Sequence, residues 1–273
     1  MTQAEKGTRF RALHAGPKAF VIANAWDPGS ARLLASIGFA ALATSSAAAA
    51  RAQGLEDGAL GRDRSLANAK SIVDACDLPV SADLENGFGD APEAAAETIR
   101  RAAAVGLAGA SIEDAASNDG GVYDLSLAVE RVAAAVAAAR GLPVPFVLTA
   151  RAENFVRGRA DLDDTIARLR AYEAAGADVL FAPGLPTLDA VRAVCSAVSK
   201  PVNFMAGIPG RSFSVPELEA VGVRRISVAA SLHRAAMAAL TEAAREIMDH
   251  GTFSYLDRAA ATAPVAAGPK GTR

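Results

Sequence analysis

An eightfold alternation of strand-like and helix-like segments predicts an α/β fold of the (β/α)8 barrel class. Apolar, β-branched runs recur at 20–26, 39–45, 79–85, 109–114, 145–152, 177–182, 201–205 and 225–229. Helical patterns fill the intervals at 30–37, 63–76, 92–105, 126–140, 161–175, 187–198 and 215–221, with a last one at 231–250. Strand followed by helix implies parallel strands with crossover helices. Eight such units in 273 residues fit a closed barrel of about 250 residues better than a doubly wound sheet.

Each element has its own warrant. Alanine supplies much of the 51% hydrophobic content and favours the helices. Ala175-Gly-Ala177 and Val221-Gly-Val223 are helix stop signals. No linker divides the chain, so one domain is expected over 1–257. Residues 258–273, rich in Ala, Pro and Gly and without periodicity, read as a flexible tail. The net charge of −2, with no block of like charge, argues against a nucleic-acid or membrane surface. Apolar runs are broken by charges before the roughly 20 residues of a membrane span. Residues 1–11 are polar and lack the apolar core of a signal peptide. Cys76 and Cys195 have no metal-type spacing and read as reduced core thiols. A cytoplasmic location is the expectation.

In a barrel of this class, chemistry sits at the C-terminal ends of the strands. The stretch Ser81–Asp90 is the most pointed of them. Asp83 and Glu85 are spaced i, i+2, so on an extended strand both side chains face one cavity, ahead of a turn at Gly87 and Gly89. Two converging carboxylates repel unless a cation sits between them, and hard oxygen ligands suit Mg2+ or Mn2+. The other strand ends place Asn24, Trp26 and Asp27, then Thr44, Ser45 and Ser46 with Asp57 in the next loop. Glu113 and Asp114, Arg151 and Glu153, and Asn203 complete the series. Acids facing an arginine and small hydroxyl residues suit a metal-bound carboxylate substrate.

Read in order, these segments resemble the isocitrate lyase/phosphoenolpyruvate mutase superfamily from about Phe20 to Gly251. The resemblance is carried by Asn24-Ala-Trp-Asp27, Thr44-Ser-Ser46, Gly54-Leu-Glu-Asp57, Asp83-Leu-Glu-Asn-Gly-Phe-Gly89, Ser111-Ile-Glu-Asp114 and Thr149-Ala-Arg-Ala-Glu153. Gly176-Ala-Asp-Val-Leu-Phe181, Pro201-Val-Asn203 and Gly222-Val-Arg-Arg-Ile-Ser227 extend it. It implies Mg2+ (Mn2+ as a substitute) on Asp83, with Asp57, Glu85 and Glu113 holding the metal's waters. It also implies a substrate carboxylate gripped by the Ser45 and Ser46 amides, and Arg151 meeting the substrate's oxygens. Arg151, Glu113 and Asp57 are thus the catalytic candidates, and Trp26, Ser45, Ser46, Asn203 and Asn118 the substrate-binding ones. A homotetramer built of dimers with a swapped eighth helix is implied as well. The plainer readings are strand-end acids that cap helices, an Arg151–Glu153 salt bridge and Trp26 as barrel packing.

Two departures shape the functional expectation. Glu85 stands where many members have aspartate. The Lys-Lys/Arg-Cys-Gly-His loop of the isocitrate and methylisocitrate lyases is replaced by Ala115-Ala-Ser-Asn-Asp-Gly-Gly-Val-Tyr-Asp124, which has no Cys, Lys or His. The expected activity is a Mg2+-dependent lyase that breaks or makes a C–C bond, decarboxylation included, next to a 2-oxo or 2-hydroxy carboxylate through an enolate. The alternatives are C–P chemistry as a phosphonomutase or phosphonopyruvate hydrolase, and a non-catalytic binder.

Overall fold

The structure, a computed structural model, describes residues 1–116 and 120–259. Eight parallel strands close a barrel in sequence order, with β8 pairing back onto β1. They are β1 (Phe20–Ala25), β2 (Leu42–Thr44), β3 (Val80–Asp83), β4 (Gly109–Glu113), β5 (Val147–Arg151), β6 (Val179–Phe181), β7 (Val202–Met205) and β8 (Arg225–Ser227). All eight lie inside the expected segments but are shorter. The segment at 39–45 contracts to three residues, because Ser45 leaves the ladder to cap a helix, its hydroxyl accepting from the Ala48 amide.

The first helix, α1 (Gln3–Ala15), is absent from the expected series, which treats the N-terminus only as polar. Its start is signalled by Thr2 and Glu5, which form a capping box. Only Lys6, Gly7, Phe10 and His14 are buried along it, too sparse a stripe to stand out by periodicity. Next come α2 (Pro28–Ile37) and a second unexpected helix, α3 (Ser46–Ala52), whose run of alanines offers propensity without a pattern. The expected helices follow as α4 (Gly61–Ala75), α5 (Pro92–Ala104), α6 (Leu125–Arg140), α7 (Leu162–Ala174), α8 (Leu188–Ala197), α9 (Val215–Ala220) and α10 (Ser231–His250). Arg258 and Ala259, assigned to the tail, complete a short helix α11 (Tyr255–Ala259), and 260–273 lie outside the described residues.

Two apolar layers between strands and helices hold the barrel, one around Leu42, Leu84 and Ile99, the other around Leu169, Val191 and Phe204. Helix α10 behaves differently. His233 is its one buried residue, and Met237, Leu240, Ile247 and Met248 are exposed. No helix among the described residues is long and apolar enough to cross a membrane. Cys76 and Cys195 are free and half-buried, and burial pushes the Cys195 thiol up to about 11.

Candidate active site

A cavity of about 560 Å³ opens at the C-terminal ends of the strands, its lining including Ser46, Asp57, Asp83, Glu85, Glu113 and Arg151. Its size suits a small ligand. Parallel strands bring these residues together because each strand ends at the same rim, whatever the distance in sequence.

Arg151, the last residue of β5, is the hub. Its Nη1 donates to Asp83 Oδ1 at 2.7 Å, and its Nε donates to Glu153 Oε1 at 2.9 Å. Nη2 lies 2.9 Å from Glu113 Oε2. The guanidinium carbon also stands 5.2 Å from the Phe181 ring centroid, a cation–π contact. Three carboxylates therefore hold one cation and keep it charged. Ser46 Oγ lies 3.0 Å from Asp83 Oδ2 and 3.2 Å from Asp57 Oδ1; its single proton serves one of them at a time. The Asp83 amide donates to Thr44 Oγ1 at 3.0 Å, which fixes the end of β3 against β2.

A buried layer supports the hub. Asp114 accepts from the Glu153 amide at 2.8 Å, from Arg168 Nη1 at 3.0 Å and from the Tyr172 hydroxyl at 2.5 Å. Arg131, 1% exposed, donates to the carbonyls of Asn86, Gly89, Asp90 and Ala91 and lies over the Tyr123 ring. One side chain thus ties down the turn that follows Glu85. Glu85 itself takes a left-handed backbone, φ 50°. The ends of the 115–124 segment are pinned as well, Ala115 bridging to Val122 and the Tyr123 hydroxyl donating to Asp90 Oδ1.

The expected site residues are distributed unevenly. Ser45, Ser46, Asp57, Asp83, Glu85, Glu113, Arg151 and Asn203 all line the cavity. Trp26 is not among the lining residues. Its ring meets His233 edge-on, with centroids 5.2 Å apart, and its carbonyl accepts from Asn68. Asn118 lies outside the described residues. Arg51, Arg157, Arg234 and Arg225 also line the cavity and were not anticipated. For Arg225 a signal existed: an arginine inside an apolar strand of a closed barrel has to point somewhere buried.

The acids retain an electrostatic need. Burial, then the Asp83 and Asp57 carboxylates, push Glu85 up to about 7 against the pull of Arg151. Glu113 is also raised, chiefly by burial and then, against Arg151, by Glu153 and Asp83. Glu85 Oε1 is buried without a hydrogen-bond partner. Among the described residues no three His, Cys, Asp or Glu side chains form a group able to hold a metal ion by themselves. The donor set fits a hard cation that keeps most of its waters, with carboxylates set around it, rather than an all-protein cage.

The phosphoenolpyruvate phosphomutase family model matches residues 10–248. A solved structure from Burkholderia cenocepacia, described only as a lyase/mutase, is 54% identical with a TM-score of 0.92, covering 96% of this chain and 93% of its own. A second from the same organism, described as a phosphonomutase, is 38% identical with a TM-score of 0.84, over 92% of this chain and 100% of its own. The 2-methylisocitrate lyase of Shewanella oneidensis is 32% identical over 263 residues, 92% of this chain and 88% of that protein. With a closed parallel barrel and an acid–arginine cluster at its rim, the chain belongs to the isocitrate lyase/phosphoenolpyruvate mutase superfamily.

Proposed function

We propose that the chain is a Mg2+-dependent lyase acting on a C–C bond next to a 2-oxo or 2-hydroxy carboxylate, decarboxylation included. The observation that supports this most is the three-point hold on Arg151 by Asp83, Glu113 and Glu153 inside one cavity. Asp83 would hold the ion directly, with Asp57, Glu85 and Glu113 on its waters. When bound, Mg2+ supplies Lewis acidity to the substrate's 2-oxygen. The first-turn amides of α3 have no intrahelical acceptor, so those of Ser45 and Ser46 are suited to the substrate carboxylate. For a 2-oxo acid the electron pair of the breaking bond stays on the 2-oxo fragment and its charge spreads to the 2-oxygen. For a 2-hydroxy acid the hydroxyl gives up its proton and becomes the carbonyl oxygen, and the pair leaves on the other fragment, which is then protonated. Arg151 faces the charge on the 2-oxygen without reorganising. Glu113, raised by burial, is able to carry a proton near neutral pH, while water returns one to the carbon.

The 115–124 segment has no thiol to protonate the carbanion left by isocitrate cleavage. General acid–base catalysis is worth about 10²–10⁴-fold. With Mg2+ present, oxaloacetate-like acids should therefore turn over detectably, and isocitrate and 2-methylisocitrate at trace level. Robust isocitrate cleavage by pure protein would overturn this reading. A second reading, C–P chemistry, is favoured by Arg51, Arg157 and Arg234 around the cavity, which supply cations the 115–124 segment lacks. Turnover of phosphonopyruvate alone would establish it. Inertness toward every 2-oxo acid and phosphonate would leave a non-catalytic carboxylate binder.

The exposed apolar side chains of α10 support a homotetramer, with a dimer as the minimum, in which this helix packs on a partner barrel. Light scattering at micromolar concentration should report four chains, and a monomer would refute it.

A further inference from the structure

The floor of the barrel carries a second cavity, of about 750 Å³, between the C-terminal end of α1, the beginnings of β5, β6 and β7, and the approach to β8. That volume lies within the range of small-molecule sites. Its buried wall is apolar, with Val147, Val179 and Val202 at the strand beginnings. Three cations, Arg11, Lys200 and Arg224, line it as well. Among the described residues none of the three forms an ion pair, and Arg224 donates to the carbonyl of its neighbour Val223. The acids in reach are engaged elsewhere. Asp178, which also lines the cavity, pairs with Arg140 at 2.7 Å. Glu173 accepts from the Ser199 and Lys200 amides, and Glu219 from the Ala19 amide. The Arg224 charge reaches the cavity wall, where it pulls on the Cys195 thiol against the burial that raises it.

His14 supplies an independent observation. It lines the same cavity and is 6% exposed. Its Nδ1 stands 2.8 Å from the Phe10 carbonyl oxygen, which can only accept, so the proton of the neutral ring sits on Nδ1. Nε2 is then a bare acceptor. It is buried and has no partner among the described residues. Burial, and then the Arg225 cation, hold the ring neutral, so Nε2 offers a lone pair rather than a second N–H. A buried acceptor left without a donor is a standing cost. The exposed cations at the mouth and the acceptor inside thus suit opposite ends of one molecule.

We propose that the floor cavity binds an organic phosphate monoester, its phosphoryl group held by Arg11, Lys200 and Arg224 and an N–H or O–H of its body donating to His14 Nε2. A phosphate monoester carries about two negative charges at pH 7, against one for a carboxylate, and so answers unpaired cations better. The valine wall takes the apolar face of the body. The site lies at the opposite strand ends from the rim cavity and stands independently of the chemistry proposed there.

The test is calorimetric titration of the full chain with AMP and ribose 5-phosphate, each beside its phosphate-free parent, adenosine or ribose. At least one ester should bind about tenfold tighter or more than its parent and than inorganic phosphate, as charge-assisted contacts imply. Saturating ester should slow alkylation of Cys195 by iodoacetamide, read by peptide mass spectrometry. Cys76, which is not among the lining residues, should be unaffected. Arg11→Ser combined with Lys200→Ser changes exposed side chains, leaves the core intact and should weaken the ester about tenfold or more. His14→Phe keeps the aromatic packing and removes the acceptor, so ester affinity should fall about fivefold while that of inorganic phosphate holds. Absence of a preference for either ester over its parent would overturn the proposal. So would phosphate binding as tight as the ester's, an unprotected Cys195, or ester affinity that survives in either folded variant. Loss of binding in Arg51→Ala instead would place the anion at the rim and overturn it as well.

Discussion

At the rim of the barrel, carboxylates crowd around one arginine and the backbone itself is under tension. At the opposite end, α1 lays an aromatic plug across the strand beginnings. Glu85, Phe88 and Ala229 are the non-glycine residues with left-handed φ among those described, at 50°, 60° and 48°. All three follow strand ends on the rim side, where such strain is usually stored for function. The floor has the reverse character. Phe10 is fully buried against Ile22, Ala41, Ala108, Val147 and Val179. The approach is so close that a Cβ on Gly7 would stand 2.1 Å from the Pro145 carbonyl oxygen, and one on Gly109 2.9 Å from the Phe10 ring. With the strand beginnings locked in this way, the strand ends are free to carry repelling charge.

The sharpest way to test that division is Asp83→Ala. It removes the acid that Arg151 and Ser46 share. Turnover should fall about 10³-fold or more. Metal-dependent binding of oxalate should vanish, while Tm changes by only a few degrees because like charges at the rim are relieved. Wild-type oxalate affinity in this variant would refute the rim as the metal-binding end.

The mirror experiment is Phe10→Ala. Deleting a buried phenyl ring typically costs about 3–5 kcal/mol. The melting temperature should therefore drop by roughly 5–15 °C for a chain of this size. The kcat of the folded fraction should stay near wild type. A loss of kcat with an unchanged Tm would erase the proposed separation of floor from rim.

A smaller effect sharpens the comparison through pH. His14 sits between Phe10 and Phe20, with ring centroids 4.7 and 5.0 Å away. Burial, and then the Arg225 cation, lower it to about 3. Its folded value lies below the unfolded one, so between pH 6.5 and pH 3 the unfolded chain takes up a proton that the folded chain refuses. Its stabilising contribution is complete above pH 6.5 and is lost as pH falls. At pH 5 the loss is about 2 kcal/mol. His14→Phe should narrow the difference in Tm between pH 7 and pH 5 by a few degrees. An unaltered acid profile would place the acid sensitivity elsewhere.

Much of this division was legible in the residues. The alternation of apolar runs and helical patterns located all eight strands, because a strand buried on both faces must be continuously apolar. The spacing of Asp83 and Glu85, and the acids and arginine at other strand exits, located the rim cluster. What escaped has a common cause. Helix α1 buries too few residues to leave a periodic stripe, and α3 is nearly pure alanine. For Trp26, offered as a substrate-binding candidate or as barrel packing, the ring meets His233 and is not among the cavity-lining residues. Side-chain direction after a strand end depends on the loop, which spacing alone does not fix.

Local periodicity and the motifs at strand exits were enough to read the barrel, the family and the rim acids. Apart from the local Arg151–Glu153 pair, which charges meet is set by the tertiary structure. Asp83, Glu113 and Glu153 are far from one another in the chain, yet all meet Arg151. Arg225, separated from Thr149 by 76 positions, is left with neutral partners. Charge pairing is a matter of distances of a few ångströms in a medium of low polarity. Closing the barrel is what sets those distances.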